Sequence, residues 1–159
     1  CWSLVGSEMC IRDRSWAQQF LIQMITRILF LLFATISLEA DIRKIEAIIA
    51  NQKVYLSVAD TQSLRKKGLM GIKELEADSG MIFLWPNASK KCMWMKDTLI
   101  DLSVAFITND KKITEIKNLQ AGNLESVCSS DRNVIAAIEM NKDWFKENKV
   151  FRGSAVRFL

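Results

Sequence analysis

The sequence predicts an α+β fold that is mainly β, an antiparallel sheet or partly closed barrel with one or two short helices. Three observations carry that expectation. Lys53–Ala59 and Lys112–Leu119 alternate apolar with polar residues, and Leu99–Thr108 is the longest strand candidate. Short polar stretches such as Asn109-Asp110 separate the runs. Helical signals are confined to two brief segments, one ending at Gly68 and one following Asn141.

The chain opens with segments that do not belong to that fold. Residues 3–13, from Ser3 to Asp13, resemble the translation of a sequencing-library adapter, and residues 1–23 are read as a non-native or flanking segment. Met24 begins a second segment, residues 24–40. Arg27, the apolar run Ile28–Ile36 and the small Ala40 follow the grammar of a secretory signal peptide or, uncleaved, a signal anchor. The apolar run is well short of the roughly 20 residues needed to span a bilayer. The expected address is therefore periplasmic or extracellular, with anchoring to the inner membrane through residues 28–36 as the alternative. Residues 41–52 read as a lead-in linker, with Ile42, Ile45, Ile48 and Ile49 at helical spacing, and residues 53–159 as one domain.

Within the domain the elements follow in order. Val54, Leu56 and Val58 fall on one side of a half-buried strand. Asp60 or Thr61 caps a short helix through Lys67. Ile72–Ser79 is a polar loop. Gly80–Trp85 is apolar and is stopped by Pro86, the only proline. Cys92–Lys96 resumes after a polar loop, with Met93 and Met95 on one face and Cys92, Trp94 and Lys96 on the other. These last two runs are expected to pair as a β-hairpin. A second hairpin joins Leu99–Thr108 to Lys112–Leu119. A polar loop from Gln120 to Arg132 leads to the run Asn133–Met140, interrupted by Glu139. A helix over Lys142–Lys149, capped by Asn141, and a final strand Ser154–Leu159 complete the chain.

Composition excludes more than it assigns. The net charge of +4 is scattered in short clusters such as Arg65-Lys66-Lys67, which read as solvated surface. With no aromatic-and-basic stacking motif, no nucleic-acid partner is expected. There is no histidine, so Ser-His-Asp and Cys-His catalysis and histidine-based zinc motifs are excluded. No glycine-rich phosphate loop is present. No cofactor or resident metal is expected, and the domain is read as a monomer.

Gly68-Leu69-Met70, then Gly80-Met81-Ile82-Phe83, then Trp94-Met95-Lys96-Asp97-Thr98, resemble in order the motifs of domain-of-unknown-function family 192. Ile135–Met140 with its embedded Glu139, followed by a short helix, extends the likeness from about Lys53 to the C-terminus. The resemblance implies a compact, mainly antiparallel β domain, often preceded by a signal peptide. Asp97 stands where that family usually has Asn. Asp101 and Ser103 stand where it has Pro and Asp, Ile72 where Arg is common, and Ser154 where an acidic residue follows the late glycine.

The candidate ligand-binding residues are Trp94, Lys96, Asp97, Thr98, Asp101 and Glu139. An aromatic plane, an ammonium and a hydroxyl on one strand face suit a small polar ligand or an envelope protein partner. The bland alternative has Trp94 filling the core and Lys96 lying along the surface. Glu139 is a carboxylate in an apolar run, so a partner such as Lys96 is expected if it points inward. A small enzyme using Lys96, Asp97, Asp101 and Glu139 for acid–base chemistry is the rival function. Cys92 and Cys128 are the only cysteines after the signal segment, and an oxidising compartment permits a disulfide between them. Two unrelated thiols are the other possibility. A third reading joins Cys92 to Met70, Met93 and Met95 as soft ligands for Cu(I).

Overall fold

The computed structural model describes residues 19–27 and 42–159, so the adapter-like residues 3–13 and the apolar run Ile28–Ile36 lie outside the described residues. The chain divides into two compact units, Cys1–Asp41 and Ile42–Leu159. Of the first unit, helix α1 (residues 19–27) is described, with the Thr26 hydroxyl donating to the Ile22 carbonyl at 2.7 Å. No helix among the described residues is long and apolar enough to cross a membrane.

The second unit runs β1 (Lys44–Ile49), β2 (Gln52–Ala59), α2 (Gln62–Lys67), β3 (Ser79–Leu84), β4 (Cys92–Met93), β5 (Leu102–Thr108), β6 (Ile113–Leu119), β7 (Val127–Cys128), β8 (Val134–Asn141), α3 (Trp144–Glu147) and β9 (Val156–Phe158). One seven-stranded sheet has the order β6-β5-β8-β3-β2-β1-β9, and β4 and β7 form a separate two-stranded sheet. The large sheet curls until its ends approach: Lys112 bridges Ala155, and the Ile113 N–H donates to the Ser154 carbonyl at 3.0 Å. The α+β, mainly β class is correct, and the architecture is a half-barrel.

Three expectations need correction. Residues 41–52 are not a linker, because Lys44–Ile49 is a strand paired with β2. Ala50 and Asn51 join the two with positive φ at both positions, 47° and 81°. A two-residue turn of that kind usually advertises itself as Asn-Gly or Asp-Gly, and Ala-Asn does not. Nor do Gly80–Trp85 and Cys92–Lys96 form a hairpin. β3 lies between β2 and β8, pairing parallel with β2, while β4 pairs with β7. The parallel pair exists because residues 60–78, carrying α2, form a crossover long enough to return the chain to the same end. Finally, the last helix is shorter than expected, Trp144–Glu147, with Asp143 rather than Asn141 at its N-cap.

Side chains from the two faces of the sheet build two cores. Ile49, Leu56, Ile82, Ile107, Ile113, Ile138 and Val156 meet inside the curl, with Trp144 and Phe145 of α3 packed among them. On the outer face, Met81, Phe83, Val104, Phe106 and Ala137 pack under Leu69, Met93 and Met95. Gly80 is required where β3 meets β8, since a β-carbon there would overlap the Glu139 carbonyl and the Met140 sulfur. Helix α2 covers part of the outer face and is set by its ends. The Thr61 hydroxyl accepts from the Leu64 N–H at 3.2 Å, and Gly68 closes the helix at φ 48°. Thr61→Ala is expected to lower stability by about 1 kcal/mol in denaturant titration. An unchanged midpoint would show that the cap does not hold α2.

Candidate functional site

A cleft of about 300 Å³ opens on the outer face of the sheet, between α2 and the segment that follows β4. Arg65, Lys66, Lys67 and Gly68 line one wall. Trp94 and Thr98 line the opposite wall, with Phe83 and Trp85 contributing aromatic surface. Glu139 lies at the floor, only 4% exposed.

Strand register explains how a carboxyl comes to lie there. On β8, Glu139 sits between Met81 of β3 and Val104 of β5, on the same outer face as Ala137. Both cross-strand neighbours are apolar, and no hydrogen bond or ion pair reaches the Glu139 carboxyl among the described residues. Burial alone therefore pushes it up from 4.5 to about 8. At neutral pH it is a neutral acid, with an O–H donor and no protein acceptor.

The basic wall is held in place from below. Arg65 Nη1 donates to the Leu84 carbonyl at 2.7 Å and to the Asp60 carbonyl, tying α2 to the end of β3. Next to it, Lys91 Nζ stands 5.0 Å from the centre of the Trp85 ring and donates to the Asn87 carbonyl at 2.9 Å and the Ser89 hydroxyl at 2.7 Å. Burial, reinforced by the charge of Arg65, lowers the Lys91 ammonium below the usual lysine range. Phe83 and Trp85 stack with ring centres 6.2 Å apart.

The Trp94 wall is a tethered loop rather than a strand. Burial still alternates as expected, with Met93 and Met95 buried and Cys92, Trp94 and Lys96 exposed. Beyond Met93, however, the chain leaves the ladder. Met95 N–H donates to the Asn123 carbonyl at 3.0 Å, and Asp97 turns the chain at φ 55°. The Gly71 N–H donates to the Asp97 carbonyl at 2.9 Å, which joins the two walls at one end. Asn and Asp tolerate this left-handed conformation better than other residues with a β-carbon, so Asp97 is a turn residue.

Of the predicted site residues, Trp94, Thr98 and Glu139 line one cleft. Lys96 does not line it and does not pair with Glu139. Its Nζ lies 5.8 Å from the centre of the Trp94 ring. Asp101 is elsewhere, ion-paired with Lys142 at 3.1 Å and accepting from the Ala121 N–H at 2.9 Å. That amide bond, reinforced by Lys142, holds its carboxyl below the usual range. Ser103 is also remote. Its hydroxyl donates to Asn118 at 3.2 Å and accepts from the Asp143 N–H at 3.1 Å. Cys92 and Cys128 are cross-strand partners joined by a disulfide. In that state no thiolate is available for Cu(I), and Met93 and Met95 are committed to the core.

Arg65, Lys66, Lys67 and Trp85 are cleft residues that the sequence did not single out. The basic triplet looks like any solvated cluster until the crossover folds α2 over the sheet. Trp85 looks like the end of a strand. The ordered motif beginning at Gly68 was the available signal, because Gly68–Met70 directly follows the triplet. A larger hollow of about 490 Å³ shares Lys67–Met70 as a wall and extends toward Tyr55 and Leu75. Its lining carboxyls, Glu74 and Glu76, are exposed, whereas the smaller cleft holds one that is 4% exposed and has no protein partner. Chemistry therefore outweighs volume in choosing between them.

Residues 45–158 match the model of the family DUF192, described as Uncharacterized ACR. No curated protein matches the chain. Among solved structures, a candidate transcription regulator from Sinorhizobium meliloti 1021 is 26% identical with a TM-score of 0.71, the match covering 76% of this chain and 97% of that one. A protein of unknown function from Novosphingobium aromaticivorans is 21% identical with a TM-score of 0.69, covering 77% and 91%. The second likeness shows the fold alone.

Proposed function

Starting from the fact that the chain belongs to the DUF192 family, we propose that it is a binding domain for a small polar ligand, held between α2 and the Trp94 loop above Glu139. One observation carries this reading. An apolar sheet face retains a carboxyl on a residue only 4% exposed, which no protein group satisfies and whose oxygens meet solvent at the floor of an open cleft. Such a carboxyl is poorly hydrated, and a ligand that supplies a hydrogen-bond partner offsets that loss. A concave site with a buried donor also favours a small ligand over a flat protein surface.

The same proposal places the domain outside the cytoplasm. The signal-like residues 24–40 support this, as does a Cys92–Cys128 disulfide of the kind that persists in oxidising compartments. The acid–base alternative has less support. Of Lys96, Asp97, Asp101 and Glu139, only Glu139 lines the cleft.

A thermal-shift screen of polar fragments tests the reading, run on the wild-type protein, Trp94→Ala and Glu139→Gln. Fragments that stabilise the wild type are expected to bind Trp94→Ala about tenfold more weakly, the loss typical of truncating an aromatic contact. Hits that bind both variants as well as the wild type would place ligand binding elsewhere.

A further inference from the structure

The lining of the cleft is unequal in charge. Three cations, Arg65, Lys66 and Lys67, come from the last turn of α2, and Glu139 is the lone acid. Lys66 and Lys67 are exposed and take part in no ion pair among the described residues. Arg65 spends Nη1 on two backbone carbonyls, which fixes its guanidinium beside the cleft without neutralising it. We propose that the cleft takes a small anionic molecule, its carboxylate or phosphate at the α2 wall and a neutral acceptor oxygen against Glu139. This rests on the cleft being a ligand site, and it adds the ligand's class.

Each alternative class meets a specific obstacle. An amine would approach three like charges and would need Glu139 ionised on an apolar floor. A neutral polar molecule would satisfy Glu139 but leave the basic wall without a counter-charge. An anion with a second, uncharged acceptor satisfies both. The protonated carboxyl donates one hydrogen bond inward, and the cations meet the negative group at the mouth, where it remains partly hydrated. Trp85 and Trp94 offer flat surface for whatever links the two groups.

Binding of this kind weakens once Glu139 loses its proton. The groups facing it are Arg65, Lys66 and Lys67 from α2, Trp94 and Thr98 from the loop, and Met81 and Val104 from the flanking strands. Of these, the α2 residues are the only other charged groups. A fall in affinity between pH 6 and pH 9 that disappears in Glu139→Gln reports Glu139.

Backbone-amide NMR titration of the full chain decides the class, using N-acetylglycine, glycerol 3-phosphate, N-acetylglycinamide and ethanolamine as probes. At pH 6 one of the two anions is expected to move the Gly68, Leu69 and Thr98 signals with about tenfold higher affinity than the neutral amide. Which anion does so distinguishes a carboxylate ligand from a phosphate one. Lys66→Glu combined with Lys67→Glu changes two exposed positions and should erase that preference without disturbing the fold. Raising the pH to 9 should weaken the anion several-fold, and Glu139→Gln should abolish the pH effect. If the amide or the amine binds the same signals as tightly as the anions, the anionic class is wrong while the ligand site stands. If no probe moves those signals, the ligand site itself fails, and the class with it.

Discussion

Replacing Glu139 by Gln is expected to flatten a loss of stability that the wild-type protein shows between about pH 5 and pH 8. Burial lifts the folded carboxyl from 4.5 to about 8, while the unfolded chain ionises near the ordinary value. Between those two values the folded state holds a proton that the unfolded state has released. Stability therefore falls as pH rises, because the unfolded state binds fewer protons. The loss begins near pH 4.5 and is complete above about pH 8, where both states are ionised. Each pH unit in that window is worth about 1.4 kcal/mol, so on the order of 3 kcal/mol disappears between pH 5 and pH 7. Glutamine has no proton to lose, and its curve lacks this component. Its stability at pH 5 need not exceed that of the wild type, since a buried amide also wants partners. The informative quantity is the difference between the two Tm profiles, which should change by roughly 10 °C across the window. Parallel profiles would mean that Glu139 is solvated or paired.

Removing the Cys92–Cys128 disulfide is expected to be comparably damaging. The bond closes a loop with a sequence separation of 36 and joins the cross-strand partners of the small β4–β7 sheet. Constraining the unfolded chain over that length is worth about 3–4 kcal/mol. With only two residues in each strand, that sheet has little else of its own to hold it. The Lys91–Ser129 contacts beside it, at 2.7 Å and 3.0 Å, the Met93–Val127 pair and the Met95–Asn123 bond would then carry the pairing. Because the Trp94 loop leaves directly from β4, loosening should reach the cleft before the curled sheet. Cys92→Ser combined with Cys128→Ser should lower Tm by about 10–15 °C. Hydrogen exchange should rise first at Met93–Thr98, while β5 and β8 stay protected. A Tm unchanged in the double variant and in reductant would show that the bond constrains nothing.

Much of the sheet was legible because period-two patterning sits where one face is buried. Val54, Leu56 and Val58 are buried as the alternation requires, and β5 and β6 form the expected hairpin. Thr61 and Gly68 delimit α2 because capping chemistry is local. What escaped was long-range. Nothing in Gly80–Leu84 says that it pairs with β2 and β8 rather than with the next apolar run, because a continuously apolar strand fits any central position. β1 was hidden because Ile45, Ile48 and Ile49 satisfy a helical spacing, while the pairing that decides the matter comes from β2. At the site, Trp94, Thr98 and Glu139 were legible as anomalies of residue type. Arg65, Lys66 and Lys67 were not, because the crossover that brings them over Glu139 leaves no mark in their own sequence. Lys96 and Asp101 were misplaced for the same reason in reverse. Strand alternation was extended past Met93, where the loop through Asp97 ends it.

The most direct measurement is a carboxyl-carbon NMR titration of Glu139 in the full chain, with Glu139→Gln used to assign the signal. An acid desolvated by burial and without a protein partner predicts a midpoint near 8, with a single transition. A midpoint at or below 4.5 would mean that Glu139 is ionised and satisfied by the protein, contradicting its place as the open donor on the cleft floor.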